Sequence, residues 1–221
     1  MKGVWVTGTG TGVGKTRLAQ ALLLALAKGG VKAAGVKPVA TGAARPQEHE
    51  DALALFEASS IKLPWELVCP FCFALPQSPH LSAAKEGRGM DIALAARILA
   101  RAGQETGFLV AEGIGGWLCP LSAKTTFADL AVAFPLPVVL VAGVRLGVFN
   151  DALLTAQAIA RVPVPFLGWV ANVLDPRLPL LEETLQSLEA MLPVPLLAKI
   201  AWQEPLEDTA SGLYATKAWI K

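Results

Sequence analysis

The sequence predicts a single α/β domain in which a mostly parallel β-sheet is flanked by helices on both faces. Three observations support this fold class. Short apolar runs alternate with longer helical patterns along the whole chain, as in successive βα units. Hydrophobic residues make up 53% of the chain and charged residues 17%, which is ample apolar surface for a buried core. No internal repeat, low-complexity segment or Gly/Ser-rich linker interrupts residues 1–221, so we expect one domain.

Each predicted strand is one of the short apolar runs in this alternating series. In order, the runs are Gly3–Thr7, Ala33–Pro38, Phe108–Glu112, Val138–Ala142, Phe166–Ala171 and Leu196–Ile200. The uncharged stretch from Leu130 to Val144 contains Pro135 and Pro137, and it is shorter than the ~20 residues of a membrane helix. We interpret this stretch as a buried strand.

The predicted helices are the longer periodic segments between these runs. The first begins at Lys15 and is closed by Gly29 and Gly30, because glycine readily adopts the conformation that ends a helix. The segment from Thr41 to Asp51 has no clear periodicity, so we expect an exposed loop there. In order, the predicted helices are Lys15–Lys28, Glu50–Ser59, Ser82–Glu86, Asp91–Ala102, Asn150–Arg161, Leu180–Met191 and Glu207–Trp219.

The charge of the chain excludes several classes of partner. The formal net charge is +1 at pH 7, and the 19 basic residues form no basic tract. Such a chain has no long-range field for a polyanion, so we expect neither nucleic-acid binding nor attachment to a membrane surface. The apolar run after Lys2 meets Thr7 and Gly8 before a signal-peptide core could develop, and we therefore expect a cytoplasmic protein.

Cys69 and Cys72 form a C-x-x-C motif that has three interpretations. The motif is typical of a redox pair, and it also supplies half of a zinc site. Zinc requires about four ligands, however, and the other cysteine and the two histidines of the chain stand in no familiar ligand spacing. We expect both thiols simply to pack.

A glycine-rich segment from Gly8 to Thr16, Gly-Thr-Gly-Thr-Gly-Val-Gly-Lys-Thr, follows the first strand and opens the first helix. Backbone N–H groups in such a loop converge on phosphate oxygens, and the helix N-terminus adds partial positive charge. Lys15 would neutralise the β- and γ-phosphates, and the Thr16 hydroxyl would bind Mg²⁺. The segment predicts a P-loop NTPase-like domain, although Thr9 stands where the strict motif has glycine.

Three charged residues are expected around this loop. Glu112 ends an apolar strand, and the carboxyl ends of parallel strands open on the ligand crevice, so it would face Mg²⁺. Lys37 closes the second strand at the same edge, where it is either a group that compensates negative charge on a substrate or a plain surface lysine. Asp51 begins a helix, where an acidic residue is common for capping alone. Its role in metal binding is therefore open on these grounds.

The segment Asn172-Val173-Leu174-Asp175 follows a strand and is similar to the N-K-x-D element that recognises guanine in GTPases. Val173 replaces the lysine of that element, which favours adenine. An asparagine amide can pair with the N6 and N7 edge of adenine, so Asn172 is the candidate base reader.

The chain resembles the dethiobiotin synthetase family in segments that extend over nearly its whole length. These are Val6–Thr9 with Val13–Thr16, Gly35–Gly42, Asp51–Leu55, Ser78–His80, Glu112–Gly113 with Gly115–Trp117, Gly143–Gly147 with Asn150, and Gly168–Asn172. Family members are ATP-dependent cyclo-ligases of biotin biosynthesis. They join 7,8-diaminononanoate with CO₂ or bicarbonate through a carbamate and a carbamic–phosphoric anhydride, and release dethiobiotin, ADP and phosphate.

The resemblance also implies roles for individual residues. Lys15 and Lys37 would be catalytic, and Thr16, Asp51 and Glu112 would hold Mg²⁺. The diamine or its carbamate would contact Thr11, Thr41, Leu146, Gly147 and Asn150. The ATP contacts would comprise Gly12, Val13, Gly14, Lys15, Thr16, Arg17, Asp51, Glu112, Gly113, Ile114, Gly115, Asn172, Val173, Ala201, Trp202, Gln203 and Glu207.

The resemblance further implies a homodimer in which residues 146–150 of one subunit approach the diamine bound by the other. Two positions depart from the family. Some relatives carry an acidic residue where this chain has Gly12, and Arg145 stands where lysine is expected. The first difference removes a side chain that could contact a substrate amine, and the second keeps the charge but changes its geometry.

Three other functions share this fold. A partition-type or GTPase-like molecular switch would need switch loops and no small-molecule pocket. A non-enzymatic nucleotide-binding module would not require the additional charges of Lys37 and Glu112. A different amidoligase or kinase would act on another small acid. Its ATP turnover would not depend on the diamine, which distinguishes it from a dethiobiotin synthetase.

Overall fold

The computed structural model describes residues 2–216, and it confirms the predicted α/β fold class. A six-stranded parallel sheet has the order β2-β5-β1-β6-β7-β8. Its strands are β1 (Gly3–Gly8), β2 (Ala33–Val36), β5 (Phe108–Glu112), β6 (Val138–Val144), β7 (Phe166–Val173) and β8 (Leu196–Ile200). Two short strands, β3 (Val39–Thr41) and β4 (Phe71–Phe73), form a separate parallel pair.

Helices cover both faces of the sheet, and the side chains of β1 alternate between the two layers. Val4 and Val6 pack with α1 on one face, whereas Trp5 packs with Phe127 and Phe134 on the other. The helices are α1 (Lys15–Lys28), α2 (Glu50–Ala58), α3 (Trp65–Val68), α4 (Pro79–Lys85), α5 (Ile92–Gln104), α6 (Phe127–Ala133), α7 (Val148–Ala160), α8 (Leu181–Met191) and α9 (Leu206–Thr216). None of the helices in residues 2–216 combines the length and apolar character that crossing a bilayer requires.

The interpretation of residues 130–144 as one buried strand is wrong in its first half. Residues 127–133 form α6, and the strand begins only at Val138. Pro135 and Pro137 separate the two elements, because proline lacks the N–H that either element would use. A capping box of Thr126 and Asp129 begins α6, and the T-x-x-D spacing is the sequence signal that indicates it.

The other differences concern short elements and boundaries. The strands β3 and β4, the four-residue helix α3 and a 3₁₀ turn over Pro46–Glu48 were not predicted, because each is too short to show a hydrophobic period. The turn interrupts the otherwise exposed loop that was expected after Thr41. Helix α4 begins three residues before its predicted start. Residues 217–219 of the predicted last helix lie outside the described residues.

The strand order brings three chain segments to the carboxyl edge of the sheet. β1 lies at the centre between β5 and β6, and the glycine-rich loop leaves it for α1. β2 pairs with β5 so that Val36 lies opposite Ala111, which places Lys37 beside Glu112 one residue further on. The strand order and register alone therefore bring the candidate site residues to one edge of the sheet.

Candidate active site

The loop between β1 and α1 has the geometry of a phosphate cradle. Gly14, immediately before α1, has φ +96°, a conformation that side chains rarely adopt. A Cβ atom at this position would lie 2.2 Å from the Asn172 amide nitrogen, so both conformation and space require glycine. The N-terminus of α1 opens on the loop and supplies free backbone N–H groups with partial positive charge.

Lys15 folds back over this loop. Its Nζ donates hydrogen bonds to the carbonyl oxygens of Gly10, at 2.7 Å, and Gly115, at 2.8 Å. Burial and then the nearby ammonium of Lys37 lower the pKa of Lys15 from 10.5 to about 8, despite the opposing carboxylates. In the nucleotide-free protein the Lys15 ammonium is thus held by two neutral carbonyls. Charged phosphate oxygens would be stronger hydrogen-bond acceptors for it.

Lys37 lies between two carboxylates. Its Nζ is 2.9 Å from Asp51 Oδ2 and 2.5 Å from Glu112 Oε1, and it also donates to the Gly113 carbonyl at 3.1 Å. Burial opposes the charge on this ammonium, but Glu112 and then Asp51 hold the pKa of Lys37 above its ordinary value. Burial also opposes the charge on Asp51, whose pKa Lys37 nevertheless lowers. Lys37 and Asp51 therefore stabilise each other's charged forms.

Thr16 connects this cluster to the loop. Its hydroxyl lies 2.8 Å from Asp51 Oδ1 and 3.0 Å from Glu112 Oε1. The second oxygen of Glu112, Oε2, is buried and has no hydrogen-bond partner among residues 2–216. A hydroxyl and two carboxylates are the hard oxygen ligands that Mg²⁺ takes together with substrate phosphates. The orphaned oxygen is the feature that a bound cation would satisfy, so the residues fit such an ion.

The loop and the charged cluster open into one cleft of about 770 Å³. Of the residues predicted from sequence, the cleft is lined by Thr11, Gly12, Gly14, Lys15, Thr16, Lys37, Thr41, Asp51, Glu112, Ile114 and Gly115. Sequence reasoning missed the rest of its wall, which comprises His49, Pro76, Gln77, Ser78, Pro79 and Cys119. Ser78 and Pro79 were noted only as part of the family resemblance, and their position at the N-terminus of α4 was the available signal.

Comparison with known proteins identifies the family. Residues 2–210 match the model of an AAA domain family. The chain is 42% identical to ATP-dependent dethiobiotin synthetase BioD 1 of Escherichia coli K12, over 99% of both chains. It is also 43% identical to the dethiobiotin synthetase BioD of Xanthomonas oryzae pv. oryzae, over 94% of both. The chain belongs to the dethiobiotin synthetase family.

A solved structure outside this family has the same fold. The septum site-determining protein MinD of Pyrococcus horikoshii, complexed with Mg-ADP, superposes with a TM-score of 0.57 and covers 99% of this chain and 88% of its own. The sequence identity is 17%, so this likeness concerns the fold alone. This likeness in fold agrees with the P-loop NTPase-like domain that the sequence predicted.

Asn172 supports the phosphate loop directly. Its side-chain amide donates to the Val13 carbonyl at 2.9 Å, and only 6% of the residue is exposed. One donor and the oxygen of the amide remain for other partners. Val173, the next residue, is buried at the end of β7. Asn172 therefore links the loop to the strand whose carboxyl end was predicted to read the base.

Other predicted residues are not brought into the cleft of this chain. Leu146, Gly147 and Asn150 are exposed at the start of α7, with Leu146 90% exposed. Ala201, Trp202, Gln203 and Glu207 are exposed after β8. Arg17 is half-buried on α1, and its Nε and Nη2 atoms have no hydrogen-bond partner in residues 2–216. The buried residues Val13 and Gly113 line no part of the cleft, but their carbonyls bind the Asn172 and Lys37 side chains.

Replacing Asn172 with alanine is expected to lower the free energy of unfolding by about 1–3 kcal/mol, because the buried Val13 carbonyl loses its donor. Urea denaturation with and without ATP measures this change. Gln157→Ala, at an exposed amide on α7, is the matched control and should change stability by less than about 0.5 kcal/mol. Equal stability of the Asn172 variant and the wild type would contradict the structural role of this amide.

The affinity for ATP is expected to fall about 5-fold as the pH rises from 8 to 9, because the protonated fraction of Lys15 falls by about that factor. Lys15 has a pKa of about 8 in the nucleotide-free protein, so its ammonium is present below this pH and lost above it. Phosphate binding favours the protonated form and must take up a proton at higher pH. Titration with ATP at several pH values measures the effect. The variant Lys15→Gln should bind weakly and lack the transition, whereas an unchanged transition in this variant would assign it to another group.

Proposed function

We propose that this chain is an ATP-dependent ligase that closes the ureido ring of dethiobiotin. In the proposed reaction, one amine of 7,8-diaminononanoate captures CO₂ as a carbamate. A carbamate oxygen then attacks the γ-phosphorus of ATP to form a carbamic–phosphoric anhydride and ADP. The second amine attacks the carbamoyl carbon and expels phosphate. The observation that carries the proposal is the buried Lys37 ammonium, which adjoins Thr16 of the phosphate loop through the shared carboxylates of Asp51 and Glu112.

The charges in the cleft suit this chemistry. A carbamate beside a triphosphate brings several negative charges together, and a transferring phosphoryl group requires cations aimed at the charge that develops. Lys15 and Lys37 supply two such cations on adjoining walls of the cleft. Lys15 would contact the β- and γ-phosphates, and Lys37 would lie towards the carbamate. Thr11 and Thr41 line the same cleft and offer hydroxyls to the diamine or carbamate.

We propose that Thr16, Asp51 and Glu112 hold Mg²⁺. When bound, the ion would withdraw charge from the phosphates and orient them. In the nucleotide-free protein Lys37 neutralises much of the negative charge of Asp51 and Glu112, since it contacts both carboxylates. Asp51 and Glu112 would therefore share their charge between the ion and Lys37. The Thr16 hydroxyl lies within hydrogen-bond distance of both carboxylates and keeps the three oxygen ligands together.

The nucleotide would extend from the phosphate loop towards the ends of β7 and β8. We propose that Asn172 and Val173 contact adenine, and that Ala201, Trp202, Gln203 and Glu207 approach the adenosine. Arg17, with its unpaired buried donors, would stand beside the phosphates or ribose. The exposed Trp202 supports this arrangement because an aromatic surface is available for stacking.

A homodimer would complete the diamine site. Leu146, just before α7, is 90% exposed, and Leu154, within α7, is 59% exposed, which supports burial of these side chains by a second copy. In such a dimer, Leu146, Gly147 and Asn150 of one subunit would reach the diamine of the other. We further propose that the whole chain acts as one domain and is cytoplasmic.

Release of phosphate from ATP, measured with and without 7,8-diaminononanoate and bicarbonate, tests this function. The ligase predicts that phosphate release requires both. A molecular switch or another ligase of this fold predicts turnover that does not depend on the diamine, and this result would contradict the proposal. No feature of residues 2–216 favours those alternatives, and family membership does not favour them either.

A further inference from the structure

His49 lies in the wall of the cleft and has no role in the proposed reaction so far. The sequence contains two histidines, and His49 lines the cleft together with Lys37, Thr41 and Asp51. It stands two residues before Asp51, at the position from which α2 begins. An imidazole among the reacting groups of an enzyme is a candidate for direct contact with the substrate.

The backbone around His49 is held by local hydrogen bonds that do not involve the imidazole. Its N–H donates to the Pro46 carbonyl at 3.2 Å, and its carbonyl accepts from the Leu53 N–H at 2.9 Å. The side chain makes no capping hydrogen bond to α2. The imidazole can therefore be replaced without loss of the hydrogen bonds that hold the turn and the start of the helix.

The surroundings of the imidazole favour a hydrogen on one particular nitrogen. Nδ1 of His49 is buried and has no hydrogen-bond partner among the described residues. Buried N–H groups without an acceptor are rarer in proteins than unpaired acceptor atoms, which favours the neutral ring with its hydrogen on Nε2. Nε2 also lacks a partner within residues 2–216, but it is not buried, so a molecule in the cleft can reach it. A protonated ring carries this hydrogen as well, so the donor at Nε2 does not depend on the charge of the ring.

Lys37 has no free N–H group to offer a substrate in the nucleotide-free protein. An ammonium has three hydrogens, and Nζ already lies within hydrogen-bond distance of Asp51 Oδ2, Glu112 Oε1 and the Gly113 carbonyl. Its positive charge would attract a carbamate, but a directed hydrogen bond to the carbamate needs another donor. The Nε2–H group of His49 is such a donor in the same cleft.

We propose that His49 donates a hydrogen bond from Nε2 to the substrate carbamate and is a further catalytic residue beside Lys37. The identity of this substrate rests on the proposed function, whereas the position of the hydrogen on the ring does not. No proton is transferred in the contact, because the hydrogen remains on Nε2. The bond would hold the carbamate oxygen that does not attack the γ-phosphorus, and so direct the other oxygen towards the phosphorus.

The contact would become stronger as the reaction proceeds. When the second amine adds to the carbamoyl carbon, negative charge develops on the oxygen that His49 holds. A donor aimed at developing charge stabilises the transition state more than the ground state, and an imidazole can do so without being charged. We therefore expect His49 to affect kcat and to have little effect on ATP binding.

Three substitutions of His49 test this role by diamine-dependent phosphate release and by ATP titration. His49→Leu removes both ring nitrogens and should lower kcat about 10- to 100-fold, while the ATP dissociation constant stays unchanged. His49→Gln places an amide N–H near the position of Nε2 and should recover most of the activity. His49→Asn places its amide near the position of Nδ1 and should be as slow as the leucine variant. Glu50→Gln, at an exposed neighbour that lines no part of the cleft, is the matched control.

Nitrogen NMR of the full chain labelled with ¹⁵N-histidine tests the contact without turnover. The labelled residues are His49 and His80, and the variant His80→Gln identifies the signals of His49. In the nucleotide-free protein we expect the hydrogen of the neutral His49 ring on Nε2. Addition of the diamine with bicarbonate, in the absence of ATP, should shift the Nε2 signal, whereas bicarbonate alone should not.

Several results would overturn the proposal. These are a neutral ring with its hydrogen on Nδ1, an Nε2 signal that ignores the diamine with bicarbonate, and wild-type kcat in His49→Leu. Equal losses in all three His49 variants would also overturn it, because the loss would then reflect the shape of the ring and not the Nε2–H group. If the wild type releases no diamine-dependent phosphate, the ligase function fails. The response of Nε2 to the diamine and bicarbonate would then still decide whether His49 contacts a carbamate.

Discussion

Replacing Lys37 with alanine is expected to lower kcat for diamine-dependent phosphate release by about 10²–10³-fold, the usual effect of losing one aimed charge-stabilising group. The ammonium is 2% exposed and contacts two carboxylates, so no other side chain can replace it from solvent. The ATP dissociation constant should change less, because the phosphate loop and Lys15 remain. Steady-state kinetics and an ATP titration separate the two effects.

Two further variants distinguish catalysis from stability. Lys37→Ala leaves the buried Glu112 carboxylate without its cation, which costs stability. The double variant Lys37→Met with Glu112→Gln removes both charges and should recover stability without recovering turnover. Lys62→Ala, at a lysine on the exposed surface, is the matched control and should turn over like the wild type. Wild-type kcat in Lys37→Ala would contradict a catalytic role for Lys37.

Replacing Glu112 with glutamine is expected to lower kcat by about 10²-fold and to raise the Mg²⁺ concentration for half-maximal activity at least about 10-fold. Glutamine keeps the size of the side chain but removes its charge. The effect should exceed that of Asp51→Asn, because the Asp51 side chain is 37% exposed whereas that of Glu112 is fully buried. A Mg²⁺ titration of phosphate release for both variants measures the difference.

The control for this series is Glu105→Gln, which changes an exposed glutamate paired with Arg101 on the surface. It should leave both kcat and the Mg²⁺ requirement unchanged, since such pairs contribute little. An unchanged Mg²⁺ requirement in Glu112→Gln would show that this carboxylate serves Lys37 alone. The orphaned Oε2 atom of Glu112 would then need another partner.

The main sheet could be predicted from sequence because its strands are apolar runs separated by long periodic helices. The β3–β4 pair could not, since a three-residue strand shows no alternation that differs from chance. Helix α6 was obscured by its apolar neighbours, although Thr126 and Asp129 marked its start. Local signals therefore located long elements better than they located the short ones around the cleft.

For the candidate site, strand ends indicated which residues would face the crevice. The position of Lys37 after one strand and of Glu112 at the end of another predicted proximity, and the structure places them in direct contact. The amide contact from Asn172 to Val13 could not be foreseen, because it depends on packing between distant segments. Conversely, Leu146, Gly147 and Asn150 are exposed and line no part of the cleft, so their contact with the diamine stays a prediction.

The origin of the oxygen atoms in the released phosphate tests the central claim most directly. The protein would be mixed with ATP, the diamine and ¹⁸O-labelled bicarbonate, and phosphate would be sampled before the label exchanges with water. If a carbamate oxygen attacks the γ-phosphorus, ¹⁸O passes from bicarbonate into the phosphate in proportion to the dethiobiotin formed. Attack by water would instead add one solvent oxygen to the phosphate and no ¹⁸O from bicarbonate. That result would contradict the carbamate-phosphorylating ligase.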